Sequence, residues 1–233
     1  MEFNKQYLNE MEDTEKGGMY LFKKFFPKKM IEKKTEQHAR LFQLKRWFYL
    51  KKCKRILDIG CGKGNFIKKD PFNSEIYGMD IIKKAVEDLK KEGIPAKQGD
   101  LNKKIPFKDN YFDGLSCFHV FEHIPDPTRA VSEIKRVLKD DGKLVIAVPN
   151  LSFKKFYEDY THVKPYTKRS LYKLLKNNNF ENINIKNGPC MNQLISATFF
   201  LFPRIRFSIE KLIGKISPFE IIAIAKNSKS KNA

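Results

Sequence analysis

The stretch RILDIGCGKGNF, residues 55–66, places one acid and three glycines where a short apolar run ends. Asp58 precedes Gly60, Gly62 and Gly64, which are spaced two residues apart. Glycines in a turn let the backbone come within contact distance of a ligand and adopt φ angles that other residues resist. A carboxylate beside such a turn favours a ligand with a positive charge over one that brings a phosphate. The stretch therefore predicts a site for a cationic head group, an amino acid or a sulfonium.

The glycine spacing also argues against a dinucleotide site. The dinucleotide fingerprint is G-x-G-x-x-G, and its third glycine would fall where this chain has Asn65. The chain has G-x-G-x-G instead, with Asp58 beside it. We therefore expect no nicotinamide cofactor.

Two further acids extend the predicted site. Asp80 ends EIYGMD, twenty residues beyond Gly60, where a carboxylate can accept both hydroxyls of a ribose. Asp100 can accept a hydrogen bond from an adenine amino group, while Leu101 offers its amide and apolar cover. S-adenosylmethionine carries an amine, a ribose and an adenine in this order. A structural alternative, in which Asp58 caps the turn and Asp100 is a turn residue, stays open.

The elements that must position these residues alternate between strands and helices. Apolar runs predict strands at residues 55–60, 75–81, 96–100, 112–118, 143–149, 181–187 and 219–227. Helical stretches lie between them, ending at Gly93 and Gly142, where a left-handed residue would close each helix. A later helix is predicted to begin at Thr167. This alternation predicts an α/β fold, a parallel sheet with helices on both faces.

The 233 residues suffice for one domain with a sizeable core. We expect an arm and packing helix at 1–53, the helix spanning 29–50, and a catalytic domain at 54–226. Cap insertions are expected at about 151–170 and 189–217. The last residues, 227–233, are predicted to form a disordered tail.

The composition of the chain indicates which partners and which cellular compartment to expect. The formal net charge of +19 would draw the chain to nucleic acid or to an anionic membrane surface. Lysine, asparagine and isoleucine are abundant from end to end, as in a genome with biased codon use, so nucleic acid is possible but not favoured. The four cysteines show no disulfide or zinc spacing, which indicates reduced thiols in the cytoplasm. No secretory signal is evident, and the longest apolar run has about half the length of a transmembrane helix.

Five segments in order resemble the motifs of the class I S-adenosylmethionine-dependent methyltransferases, of the type 11-like small-molecule kind. They are ILDIGCGKGNF, YGMDI, GDLNKKIPFKDNYFDGLSCFHVFEHIPDP, LKDDGKLVIAVPN and THVKPYTKRSLYKLLKNNNF. The resemblance implies a doubly wound, Rossmann-like, seven-stranded sheet whose last strand is antiparallel. It implies a cofactor site formed by Asp58, Gly60, Cys61, Gly62, Gly64, Asp80, Ile81, Asp100 and Leu101, with Phe118 and His119 beneath the methionine moiety. A packing role for Cys61 stays open.

Methyl transfer from a sulfonium is an in-line displacement, so the protein mainly aligns the acceptor with the methyl group. A base helps when the acceptor is a hydroxyl or a protonated amine. The candidate bases are His119, His123, His162 and Tyr166. We expect THVKPYT, residues 161–167, to overhang the transfer site.

The run HVFEHIPD raises the question of a metal. Quinone-precursor O-methyltransferases and small-RNA 2′-O-methyltransferases resemble this stretch, with a Glu-x-x-Glu-His run and a later histidine that bind a divalent metal. This chain has His119 at the first position of the run, and His162 would be the later ligand. We predict no metal, with Glu122 and His123 orienting the cofactor loop. The metal alternative stays open.

The predicted function is methyl transfer from S-adenosylmethionine to a small-molecule, lipid or saccharide-precursor acceptor, at oxygen. An RNA methyltransferase and a non-catalytic scaffold that retains the fold are the alternatives. The aromatic and basic segment at 189–217 is predicted to be a substrate lid. An amphipathic surface that contacts a lipid interface is the second interpretation. The sequence leaves the oligomeric state open.

Overall fold

The computed structural model describes residues 47–150, 156–157, 159–188 and 220–228. Residues 47–50 are helical, which agrees with the end of the helix predicted at 29–50. The rest of that helix, the arm before it and the cap at 189–217 lie outside the described residues. Only part of the cap at 151–170 is described.

The centre of the fold is a seven-stranded sheet with strand order β3-β2-β1-β4-β5-β7-β6. The strands are β1 Arg55–Ile59, β2 Glu75–Asp80, β3 Ala96–Gln98, β4 Phe112–Phe118, β5 Leu138–Pro149, β6 Phe180–Asn187 and β7 Glu220–Asn227. β7 runs antiparallel to both neighbours, whereas the pairs from β3 to β5 are parallel. The predicted Rossmann-like sheet, mostly parallel with an antiparallel last strand, is confirmed.

Helices cover both faces of this sheet. α1 Lys83–Lys91 lies on one face, where its Leu89 packs in a core cluster with Trp47. α2 Pro127–Val137 and α3 Lys168–Asn177 cover the other face. Ile134 and Leu171 belong to the second core cluster, on that face. The central strands are buried from both sides, which explains their continuous apolar runs.

The helix boundaries follow local capping chemistry. Asp126 caps α2 by accepting a 3.1 Å hydrogen bond from the Arg129 amide, and Pro127 begins the helix. Thr167 caps α3 through a reciprocal pair of hydrogen bonds with Ser170, which agrees with the helix start predicted at Thr167. Gly93 follows α1 with a φ of 78°, also as predicted.

The prediction of Gly142 as a helix-closing, left-handed residue was wrong. α2 ends at Val137, and β5 begins at Leu138. The left-handed residue is Asp141, with a φ of 59°. A Cβ at Gly142 would lie 2.8 Å from the Lys139 carbonyl oxygen, so glycine is required there by close packing. The register of β4 with β5 shifts at this point, which makes the segment a bulge within the strand.

The ordered chain extends past the predicted boundary at 226. Asn227 is the last residue of β7 and is buried, and its Nδ2 donates a 3.2 Å hydrogen bond to the Leu138 carbonyl. Ser228 Oγ donates a 2.8 Å hydrogen bond to the Asn179 carbonyl. These contacts correct the start of the predicted tail, of which residues 229–233 lie outside the described part.

Among the described helices, none is long and apolar enough to cross a membrane.

Candidate functional site

The carboxyl ends of β1, β2, β3 and β4 meet at one edge of the sheet, where open α/β folds bind ligands. The glycine turn follows β1. Gly60 has a φ of 74°, and a Cβ there would lie 2.3 Å from Val120 Cγ2. Gly62 has a φ of 49° with nothing within 4 Å of where its Cβ would be, so the turn is open on that side. The Gly64 amide closes the turn with a 2.8 Å hydrogen bond to the Cys61 carbonyl.

Asp58 lies in β1 directly before this turn. Its carboxylate is buried, with 3% of the residue exposed, and Oδ1 accepts a 2.6 Å hydrogen bond from Ser116 Oγ on β4. The hydrogen bond fixes a buried negative charge beside the open turn. Such a charge favours a cationic ligand, as the sequence predicts.

Asp80 organises the same turn from the end of β2. Its Oδ2 accepts a 2.8 Å hydrogen bond from the Gly62 amide, and its Oδ1 accepts a 2.9 Å bond from the Ile82 amide. Each carboxylate oxygen can accept a second hydrogen bond, so these contacts leave capacity for ribose hydroxyls. The neighbouring Ile81 is partly exposed, at 39%.

Asp100 and Leu101 follow β3 at the same edge. Asp100 Oδ1 accepts hydrogen bonds from the Asn102 amide at 2.9 Å and from Asn102 Nδ2 at 3.0 Å. Leu101 is buried within the core cluster. Asp100 therefore closes its own turn, and its contact with adenine stays a prediction.

Cys61 contributes its backbone to the turn and its thiol to packing. Its amide donates a 3.2 Å hydrogen bond to the Met79 carbonyl, and its Sγ lies 2.8 Å from where a Cβ at Gly78 would be. Burial raises the pKa of the Cys61 thiol. These contacts favour the packing interpretation that the sequence left open.

The glycine turn is followed by Phe66, which belongs to an aromatic stack. Phe66 stacks on Trp47 with ring centroids 4.0 Å apart, and its edge meets Phe118 at 5.4 Å. Trp47 Nε1 donates a 3.0 Å hydrogen bond to the Phe66 carbonyl. Sequence analysis missed Trp47, although a single tryptophan before the first strand was the available signal.

His119, directly after β4, lies between two buried carboxylates. Its Nε2 is 2.9 Å from Glu220 Oε2, and its Nδ1 is 3.5 Å from Glu122 Oε1. Burial by itself lowers the pKa of His119, but hydrogen bonds and charge attraction from the two glutamates outweigh it and raise the pKa to about 9. His119 therefore carries a proton at neutral pH. Glu220 was missed by sequence analysis, and an acid that opens the apolar strand EIIAIA was its only signal.

His123 and His162 lie next to each other, with ring centroids 4.9 Å apart. His123 Nδ1 donates to the Thr161 carbonyl at 3.1 Å, and His162 Nδ1 donates to the Phe156 carbonyl at 2.8 Å. A carbonyl only accepts, so in the neutral rings Nδ1 holds the hydrogen and Nε2 keeps the lone pair. His162 Nε2 lies 3.6 Å from Asp159 Oδ2.

Asp159 is held as a carboxylate beside this pair. Burial by itself raises the pKa of Asp159, but hydrogen bonds from Thr161 outweigh it and hold the pKa below its ordinary value. The Thr161 hydroxyl donates to Asp159 Oδ1 at 2.6 Å and lies 3.0 Å from His123 Nδ1. The backbone carbonyl of Glu122 accepts hydrogen bonds from the amides of Val163 and Lys164, which fastens this segment to the end of β4.

Glu122, His123 and His162 form a cluster whose ligand-type atoms lie within 4.8 Å of one another. Glu122 is buried, and its Oε2 has no hydrogen-bond partner among the described residues. A buried carboxylate oxygen and two imidazoles that donate Nδ1–H to carbonyls fit a divalent cation. The structure thus brings together the residues of the metal alternative, except for His119, which pairs with the glutamates.

Tyr166 lies in the hydrophobic core, in contact with Phe121 and near Glu122. It is 3% exposed, its hydroxyl is 3.5 Å from the Phe121 carbonyl oxygen, and burial raises the pKa of its phenol. The environment favours a packing role. We therefore assign no proton transfer to Tyr166.

A sequence model that describes a methyltransferase domain matches residues 26–185. The chain belongs to this methyltransferase-domain family. An uncharacterized methyltransferase of Schizosaccharomyces pombe is 36% identical over 125 residues, which are 47% of this chain and 44% of that protein. A ubiquinone biosynthesis O-methyltransferase of Coxiella burnetii is 29% identical over 114 residues, 45% of this chain and 47% of that protein. The matches thus span less than half the length of either relative.

The solved structures agree with this membership. The methyltransferase fold superposes on a SAM-dependent methyltransferase from Archaeoglobus fulgidus with a TM-score of 0.61 and 28% identity. The superposition covers 81% of this chain and 94% of that chain. The matched residues form a SAM-dependent methyltransferase domain.

Proposed function

We propose that this methyltransferase transfers the methyl group of S-adenosylmethionine to a hydroxyl oxygen of a small molecule or of a lipid or saccharide precursor. The observation that carries the proposal is the cluster of Glu122, His123 and His162 within 4.8 Å, directly after β4. It stands at the sheet edge that holds the glycine turn. A hydroxyl needs such groups because it must lose its proton as the new bond forms.

His162 is the proposed base. Its Nε2 keeps a lone pair in the neutral ring, and Asp159 at 3.6 Å stabilises the imidazolium that forms. The acceptor oxygen attacks the methyl carbon, the carbon–sulfur bond breaks, and S-adenosylhomocysteine leaves while the proton passes to His162. His119 cannot take this proton at neutral pH because it already holds one. We assign His119 the role of a cation that holds Glu122 and Glu220 in place.

The same cluster supports a second version of this chemistry, with a divalent cation. Glu122 Oε2, His123 and His162 would hold the ion, and the buried Oε2 without a described partner is the observation that favours it. A bound divalent cation lowers the pKa of a coordinated hydroxyl. Titration with Mn²⁺, Mg²⁺ and Zn²⁺ by calorimetry tests this version. Saturable binding that is lost in both Glu122→Gln and His123→Gln supports it, and absence of binding refutes it.

An oxygen acceptor is also supported by the relative from Coxiella burnetii, whose name states O-methyl transfer. A cytoplasmic location is part of the proposal. Cys53, Cys61 and Cys117 are free and buried, which agrees with a reducing compartment.

Labelled S-adenosylmethionine and a fractionated cell extract test the acceptor class. We expect label in small solutes or lipids, in a product that resists mild hydrolysis as an ether does, and less label with Asp58→Asn at limiting S-adenosylmethionine. Label in RNA, or a nitrogen-linked product, would overturn the proposed acceptor. Cofactor binding without label in any fraction would favour the non-catalytic scaffold.

A further inference from the structure

A second cleft lies away from the edge that holds the methyl-transfer groups. Its volume is about 550 Å³, within the range of small-ligand pockets. None of the residues that line it belongs to the cofactor site or to the histidine cluster. They come from β2, from β3, from the loop after β3 and from the last turn of α2: Tyr77, Lys97, Lys104, Ile105, Pro106, Phe107, Lys108, Asp109, Tyr111 and Arg136.

The rim of the cleft carries three exposed lysines, and the acids Asp109 and Glu133 offset part of their charge. Lys97, Lys104 and Lys108 are exposed, and within the described part of the chain none of them forms an ion pair. Lysines on α1 differ, since Lys83 and Lys84 each pair with an acid one turn along the helix. The local feature is that three such lysines surround one cleft.

One wall of the cleft is fixed by Arg136. Its guanidinium pairs with Glu133 at 2.7 Å and with Asp109. It also donates to the carbonyls of Phe107 at 3.0 Å and Ile105 at 2.9 Å. Arg136 is thus paired with two carboxylates, which leaves one negative charge over at this wall, and its hydrogen bonds hold the loop that carries Lys104 and Lys108.

The floor of the cleft is aromatic and bears hydroxyl groups. Tyr77 meets the edges of Phe107 and Tyr111 at centroid distances of 5.9 and 5.8 Å. The two tyrosine hydroxyls are 3.1 Å apart. Lys97 Nζ lies 4.8 Å from the centre of the Phe107 ring. A flat ring that carries an anionic group complements such a floor and rim.

We propose that this cleft binds a nucleotide, with its phosphate held by Lys104, Lys108 and Lys97 and its sugar and base against Tyr77 and Tyr111. The nucleotide is either free or part of a single-stranded RNA, because both present the same phosphate and ring chemistry. The site is independent of the proposed methyl acceptor. A free nucleotide would make it a regulatory or substrate site, and an RNA strand would make it a docking site.

Binding of fluorescent single-stranded RNA and of fluorescent ATP, each followed by anisotropy, tests the proposal. Saturating S-adenosylhomocysteine is present throughout so that neither probe occupies the cofactor site. We expect the triple variant Lys97→Gln/Lys104→Gln/Lys108→Gln to lower the affinity for the probe about tenfold or more. For RNA, the slope of log K against log salt should fall by about 2, since each phosphate contact on a single strand contributes about 0.7. If the triple variant weakens the binding of ATP only, the ligand is a free nucleotide. If it weakens the binding of RNA, the ligand is an RNA strand.

The control variant is Lys83→Gln/Lys84→Gln/Lys91→Gln on α1, which removes the same number of charges. It should leave both affinities within about twofold if the cleft is the site. The double variant Lys104→Gln/Lys108→Gln keeps Lys97 and therefore its 3.0 Å hydrogen bond to the Pro106 carbonyl. Weaker binding in this variant is then not caused by a loop that has lost this bond. Equal weakening by the two triple variants, or no binding of either probe to the wild type, would overturn the proposal.

Discussion

Polar residues of the site are each held in place by a hydrogen-bond partner. Asp58 is fixed by Ser116, Asp80 by the Gly62 amide, and His162 by the Phe156 carbonyl. A side chain held in this way needs no reorganisation when the ligand arrives. The type and position of Asp58 and Asp80 could be predicted because Asp80 ends β2 and Asp58 is the last residue but one of β1. The pairing of His119 with Glu220 could not, because 101 residues separate them and no local pattern links them.

We predict that His162→Ala lowers turnover about a hundredfold or more and leaves the affinity for S-adenosylmethionine unchanged. A general base contributes about 10²–10⁴ in rate, and His162 touches none of the residues assigned to the cofactor. Turnover with an identified acceptor and calorimetric affinity measure the two effects. Lys164→Ala, in the same segment and exposed, is the control and should leave both values unchanged. Unchanged turnover in His162→Ala would remove it from the reaction.

We predict a pH-dependent stability contribution from His119. Its pKa is raised from 6.5 to about 9 by Glu122 and Glu220, so the stabilisation is fully present below pH 6.5 and is lost as the pH rises through about 9. Denaturant unfolding of the wild type and of His119→Gln across this range measures the difference in the free energy of unfolding. That difference should shrink towards high pH. A constant difference would show that the imidazolium is not held by the glutamates.

At the scale of elements, short segments with clear boundary signals were predictable. The central strands β1, β4 and β5 have continuous apolar runs, and α3 is capped at the predicted Thr167 because the capping pair with Ser170 is local. The bulge at residues 138–142 was not predictable from local pattern. It depends on how β5 pairs with β4, which is a tertiary feature.

The glycine turn gives a prediction at this scale. Gly60→Ala should weaken S-adenosylmethionine binding and destabilise the fold, because its Cβ would lie 2.3 Å from Val120 Cγ2 at a φ of 74°. Gly93→Ala is the matched control, with a φ of 78° and nothing within 4 Å of its Cβ. The control should cost only the left-handed strain, about 1–2 kcal/mol, and leave binding unchanged. Equal effects of the two variants on binding would contradict a tightly packed turn.

At the scale of the whole molecule, strand order explains why distant motifs form one site. β1 lies between β2 and β4, so Asp58, Asp80 and Phe118 reach the same edge of the sheet. This arrangement could be predicted because the order of the motifs along the chain resembles that of the class I methyltransferases. The lid and the lipid-surface interpretations of 189–217 remain predictions, because that segment is outside the described residues.

The central claim is that a buried carboxylate beside the glycine turn selects a positively charged cofactor. Calorimetric titration of S-adenosylmethionine into the wild type, Asp58→Asn and Asp113→Asn tests it most directly. Asp113 is the control, a β4 carboxylate that accepts a 2.8 Å hydrogen bond from the Arg55 amide near the start of β1. We predict that Asp58→Asn weakens binding about tenfold or more, since a hydrogen bond to a charged group contributes about 1.5–3 kcal/mol, and that Asp113→Asn binds as the wild type does. Wild-type affinity in Asp58→Asn, or a wild-type protein that binds NAD in place of S-adenosylmethionine, would contradict the account.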